Sequence, residues 1–186
     1  KLTFTPENWN VAQKITVNGI DDLVVDGDQV SDLKFKATSE DQNFNIEDKL
    51  EITTIDNDVA EILIVAKGEE IMENSGDSRE FKVVLASQPQ SQVRIKLKSS
   101  DESELKIYGQ QTIIFNEENW NVPQTVILQV VDDNYADGTQ IVHVDLTAAS
   151  EDKNFDGLKA VTPDYSILDN ESASITLTAE KTIFKP

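Results

Sequence analysis

The sequence predicts an all-β fold, a two-sheet sandwich of immunoglobulin-like size used more than once. Three observations carry this. Apolar and polar residues alternate in short Val-, Ile- and Thr-rich runs, turn residues separate those runs at intervals of about ten, and the pattern repeats. Trp9 and Trp120, the only two tryptophans, stand 111 residues apart, each inside the same tetrapeptide NWNV. No stretch combines a helical period with caps.

The runs REFKVVLA (79–86), QVRIKLKS (92–99), QTVILQVV (124–131) and IVHVDLTA (141–148) each read as a strand with one buried face. QKITVNG (13–19) and DLKFKAT (32–38) carry the same alternation in the first copy. The segments SQPQ, SSDES, NEEN and ADG supply the turns between them. One buried face per strand calls for two sheets packed face to face.

The repeat sets the domain limits. Phe4 aligns with Phe115, Asp21-Asp22 with Asp132-Asp133, Asp26-Gly27 with Asp137-Gly138, and SEDQNF with SEDKNF, all at the offset of 111. IDND (55–58) and LDNE (168–171) close the two copies after a two-residue slip. Residues 1–58 are therefore expected to be the second half of a repeat, 59–171 a complete repeat, and 172–186 the first strand of a following one. Lys1 is not an initiating residue, so a fragment of a longer protein is expected. The strands of 1–58 lack their partners, and the complete repeat, the terminal stub or a neighbouring molecule is expected to cover them.

Charge and composition narrow the function. The chain carries 35 Asp and Glu against 16 Lys and Arg, a net charge of −19. That disfavours nucleic acid and anionic membranes as partners, and no apolar run reaches membrane-span length. Cys is absent, which excludes disulfides, thiolate metal sites and a Cys nucleophile. His143 is the only histidine and alternates to the solvent side of its strand, so no Ser-His-Asp arrangement is available and no enzymatic activity is expected.

The acids are clustered rather than scattered. GIDDLVVDG and VVDDNYADG each follow a strand, and an acidic segment ends each copy. Carboxylates this dense repel unless a cation separates them. Oxygen donors without His or Cys suit Ca²⁺. The loop is not an EF-hand: counted from Asp132, position 5 is Ala136 and position 12 is His143. Trp9 and Trp120 read as lids on a sandwich end, with sugar stacking as the alternative.

These residues together resemble the Calx-beta domain, the sandwich of sodium–calcium exchanger regulatory regions and of tandem arrays in large bacterial surface proteins. The resemblance runs through IMENSG (71–76), KSSDES (98–103), TIIFNEENWNVPQTVILQVVDD (112–133) and LDNE (168–171). It implies calcium ligands at Glu73, Asp101, Asp132, Asp133, Asp137, Asp169 and Glu171. In the first copy it implies a partial site of Asp21, Asp22, Asp26, Asp56 and Asp58. Asn134 and Asn170 stand where acids are frequent, so fewer ions are expected.

The function expected on this resemblance is a Ca²⁺-stiffened structural repeat of an extracellular, adhesin-like protein at the cell surface. Its immediate partners are neighbouring repeats, with other cells or surface ligands bound through other domains. Three alternatives stay open: an exchanger-type calcium sensor, a carbohydrate-binding module using Tyr108 or Tyr135, and a spacer within a secreted enzyme.

Overall fold

A computed structural model describes residues 1–73 and 76–178. It is all-β, and the chain divides into two compact units, 1–56 and 57–186.

The second unit is a β-sandwich. One sheet has the order β3 (Ile62–Val65), β5 (Ser78–Leu85), β9 (Gln124–Val130), β7 (Leu105–Tyr108). The other has the order β12 (Lys159–Val161), β11 (Val144–Ser150), β6 (Val93–Ser99), β8 (Thr112–Phe115). Both are antiparallel throughout. A third, three-stranded sheet joins β10 (Gln140–Val142), β13 (Tyr165–Leu168) and β4 (Glu70–Met72), and β13 runs parallel to β4.

Alternation decides what is buried. In β6, Val93, Ile95 and Leu97 point inward while Arg94, Lys96 and Lys98 face water. Facing positions on β5, β9 and β11 contribute Phe81, Val83, Leu85, Val126, Leu128, Val130, Leu146 and Ala148 to one core. The expected strand 141–148 is split. Val142 ends β10, Val144 begins β11, and His143 lies between them outside either sheet. His143 accepts a hydrogen bond from Ser100 N–H at 2.8 Å and donates its own N–H to Ser100 Oγ at 2.9 Å. The chain changes sheets here, so both flanking valines can be fully buried.

The Trp120 turn closes the end of β9 opposite the acidic loop. Trp120 N–H bonds to Asn116 O at 3.1 Å, Asn119 Oδ1 accepts from Asn116 N–H at 2.7 Å, and the indole packs on the core. Another polar tie is buried. Asp152 accepts from Gln90 N–H at 2.8 Å and from Asn154 N–H at 3.0 Å, joining the turn after β11 to the turn after β5. Asp152→Ala removes both of these hydrogen bonds. It should lower stability by about 1 to 2 kcal/mol, read as a lower urea midpoint with an unchanged slope.

The first unit keeps the local structure of the repeat without its core. Trp9 N–H bonds to Thr5 O at 2.9 Å, and Asn8 Oδ1 accepts from Thr5 N–H at 2.6 Å, the same turn as at Trp120. Gln13 Nε2 reaches Thr3 O at 2.9 Å, as Gln124 Nε2 reaches Ile114 O at 2.7 Å. Its only sheet is the antiparallel pair β1 (Gln29–Lys36) and β2 (Glu47–Thr54). The strand expected at 13–19 does not form. Its counterpart β9 is held on both sides, by β5 and β7, and nothing equivalent flanks 13–19 in this unit.

No residue of 1–56 is buried. Phe4, Val17 and Phe44 are 56%, 50% and 61% exposed, whereas their counterparts Phe115, Leu128 and Phe155 are fully buried. Residues 172–178 form no strand, and the remainder of the expected terminal stub lies outside the described residues.

Candidate metal centre

Three chain segments converge beyond the ends of β4, β9 and β13. Parallel pairing sets Leu168 beside Met72, so Glu73 and the exit segment 169–171 emerge side by side. Glu73 N–H donates to Leu168 O at 2.9 Å. The loop after β9 then closes over both. Asp133 N–H donates to Glu73 Oε1 at 3.0 Å, and Gly138 N–H donates to Asp169 Oδ2 at 2.7 Å. Gly138 has φ of 82°, which this approach requires and which a side chain would strain.

Carboxylate oxygens of Glu73, Asp169 and Glu171 all lie within 4.8 Å of one another. Glu73 is buried, and Asp169 and Glu171 are half-buried. Among the expected ligands these three are the ones brought to metal-binding separation. Asp133 and Asp137 stand close enough for their charges, with that of Asp169, to oppose ionisation of Glu73. Asp132 Oδ1 accepts from Asn170 Nδ2 at 3.0 Å. Asn170 Nδ2 also contacts Glu73 O. The residue that breaks the acidic triplet is thus a clamp between the exit segment, β4 and the loop, a role its composition alone did not signal. Asp101 sits in the turn after β6, where its carboxylate accepts from Ser103 N–H at 2.9 Å and also from the Ser103 hydroxyl.

The electrostatics match a site lacking compensating charge. Burial raises the Glu73 carboxyl most, the Asp133 N–H lowers it, and neighbouring carboxylates raise it further. Glu171 is raised first by burial, then by its contact with Asp169 and the charges around it. Glu171 Oε2 is buried with no hydrogen-bond partner. Asp169 is held low by the N–H groups of Gly138 and Glu171, and Asp101 by Ser103. The donor set is all oxygen, which fits a hard divalent cation of the Ca²⁺ or Mg²⁺ type and not the nitrogen and sulfur preference of Zn²⁺.

Sequence reasoning missed Glu104. It lies one residue before β7, is 4% exposed, and is pushed up to about 7 by burial first and then by the charges of Glu73, Asp137, Asp101 and Asp133. Alternation gave no signal, because Leu105 is buried too and a turn rather than a strand precedes it.

The first unit repeats part of this frame. Asp56 Oδ2 accepts from Gly27 N–H at 2.6 Å and Asp26 N–H at 3.0 Å, and Asp22 Oδ1 accepts from Val24 N–H at 3.0 Å. These mirror Asp169 with Gly138 and Asp133 with Tyr135. Asp21 is exposed in the same loop, and Asp58 falls in the second unit. No counterpart of Glu73 is present in 1–56, because the repeat there begins after that position.

No protein-family model matches the chain, and no curated protein matches it. Similar solved structures include PapD-like domain 7 of human CEP192, at 13% identity and a TM-score of 0.40 over 61% of this chain and 87% of that one. The periplasmic chaperone SfaE is 9% identical at a TM-score of 0.39, over 62% of this chain and 59% of the chaperone. CaCohA2 from Clostridium acetobutylicum is 15% identical at a TM-score of 0.31, over 61% and 92% of the two chains.

Proposed function

We propose that the chain is a segment of an extracellular tandem-repeat protein of the adhesin type, with Calx-beta-like units, and that Ca²⁺ bound by the complete unit is structural. The observation that carries this reading is the convergence of Glu73, Asp169 and Glu171 within 4.8 Å, with a buried Glu171 oxygen lacking a partner. Asp133 and Asp137 add negative charge at Glu73 and Asp132 adds it at Glu171, and in this reading they complete the coordination together with Asp101 from the turn after β6. An ion here ties the segment leaving β13 to β4 and to the loop after β9, which fixes the direction in which the chain departs. In a tandem array that would stiffen each joint. Asp22, Asp26 and Asp56 form the corresponding partial frame in the first unit, with Asp21 in the same loop. No catalysis is part of this role.

Calorimetric titration tests the reading. Ca²⁺ should bind the chain with a dissociation constant on the order of 10⁻⁴ to 10⁻³ M, as in other extracellular modules. Combined Glu73→Gln and Asp169→Asn should remove the strongest binding step. Absence of Ca²⁺ binding up to ten millimolar would refute a calcium-dependent role.

A further inference from the structure

The outward face of the sheet formed by β12, β11, β6 and β8 has a charge opposite to that of the chain. The alternation that buries Val93, Ile95 and Leu97 turns Arg94, Lys96 and Lys98 to water along β6, each about 7 Å from the next. The pairing register adds a fourth base. Lys159 stands opposite Thr147 and Thr147 opposite Lys96, so exposed Lys159 lies two strands away in the same row, about 10 Å off. Asp145, opposite Lys98, is the one acid among the outward residues of these strands. Among the described residues none of the four bases forms an ion pair. Four bases against one acid give the face a charge of +3, which leaves −22 on the rest of the chain.

Like charges held side by side repel, and an acidic surface laid against them relieves that repulsion. None of the outward residues is aromatic, so the face offers no ring on which a sugar or a base could stack. Its edge strands add exposed Ile114 and Val161, so that apolar contact flanks the bases as it does in contacts between proteins. The acidic protein surface that the sequence itself supplies is the remainder of this chain. We propose that the basic face is a contact surface for a second copy of the chain, met at an acidic region of that copy. The face cannot pair with itself, because bases would then oppose bases. The contact is therefore heterologous and does not close into a two-fold dimer. Salt sets its range. At about 0.1 M the screening length is about 10 Å, which damps repulsion between whole chains and leaves touching groups attracted, whereas at about 1 M it is about 3 Å and the contact itself is screened.

The test is sedimentation equilibrium of the full chain in chelator, which keeps calcium out of the contact, across a hundredfold range of chain concentration. In about 0.1 M NaCl the weight-average mass should rise about twofold or more above that of one chain, with no plateau at the dimer, and in about 1 M NaCl it should return to one chain. Arg94→Gln combined with Lys96→Gln and Lys98→Gln should stay monomeric in both salts, while Lys96→Arg associates as the wild type does. A wild type that is monomeric at every concentration in the lower salt overturns the proposal. So does association that persists or grows in the higher salt, which marks an apolar contact, and so does a triple variant that associates like the wild type. A monomeric wild type retained on immobilised heparin, where the triple variant is not, overturns the second copy in favour of an anionic glycan. If the triple variant does not fold, the salt response of the wild type still decides, together with Lys159→Gln on the edge strand, which should weaken the association.

Discussion

In millimolar calcium the second unit should melt about 10 °C higher than in chelator, and Glu73→Gln should abolish that difference from both sides. A site filled to a hundredfold excess over its dissociation constant adds about 2.7 kcal/mol. For a unit of this length each kcal/mol moves the midpoint by roughly 4 °C. The calcium-free state starts from a disadvantage. Like charges at the separation seen among Glu73, Asp169 and Glu171 repel one another. Glu73→Gln keeps an oxygen to accept the Asp133 N–H, removes the central charge and loses the cation. Its melt in chelator should therefore rise above that of the wild type, while its melt in calcium falls below. A variant that simply damaged packing would fall in both. Asp132→Ala with Asp133→Ala should also cancel the calcium gain, but with a lower baseline, because Asp133 also holds Tyr135 N–H and Asp132 holds Asn170. Differential scanning calorimetry in EDTA and in 5 mM Ca²⁺ separates these outcomes, and equal wild-type melts in the two buffers would sink the idea.

What could be read from the residues alone follows from how local the determinants are. The alternation in β5, β6 and β9 is a property of each segment, and it placed Phe81, Ile95 and Leu128 inward without knowledge of their partners. The Trp turns are equally local, and they fold alike in a unit with a core and in one without. Strand formation at 13–19 is not local. The same sequence pattern that makes β9 between two partners makes no strand where partners are missing. The sheet change at His143 was hidden because an unbroken apolar alternation looks the same whether or not the chain crosses between layers. In the carboxylate cluster, Glu73, Asp169 and Glu171 were each singled out through the sequence resemblance. Glu104 and Asn170 were not, since their roles arise only where β4, β13 and two loops meet.

Without calcium, stability should fall as pH rises from about 4.5 to 7, the reverse of the usual behaviour of an acidic protein whose carboxylates are paired. Glu104 has its folded pKa raised to about 7 from 4.5. Between those values the folded state holds a proton that the unfolded chain has released, so raising the pH favours unfolding. Its stabilising effect is complete below about 4.5 and gone above about 7, and the change is on the order of 3 kcal/mol at 1.36 kcal/mol per unit. Glu73 and Glu171 are raised as well and act in the same direction. Asp101 and Asp169 are lowered, so their contribution is present above pH 3.8 and lost as pH falls through their folded values. The calcium-free protein should thus be most stable near pH 4 to 5. General repulsion from the net charge of −19 also grows with pH, and Glu104→Gln isolates the local part, because the variant keeps nearly all of that charge. Urea midpoints from pH 4.5 to 8 in calcium-free buffer should decline for the wild type and decline much less for Glu104→Gln. A wild-type midpoint that stays level or climbs across this range, or the same decline in both proteins, would remove Glu104 as the cause. Saturating calcium should invert the trend. A cation binds only the deprotonated carboxylates, so its stabilisation grows through the very interval in which the calcium-free protein weakens.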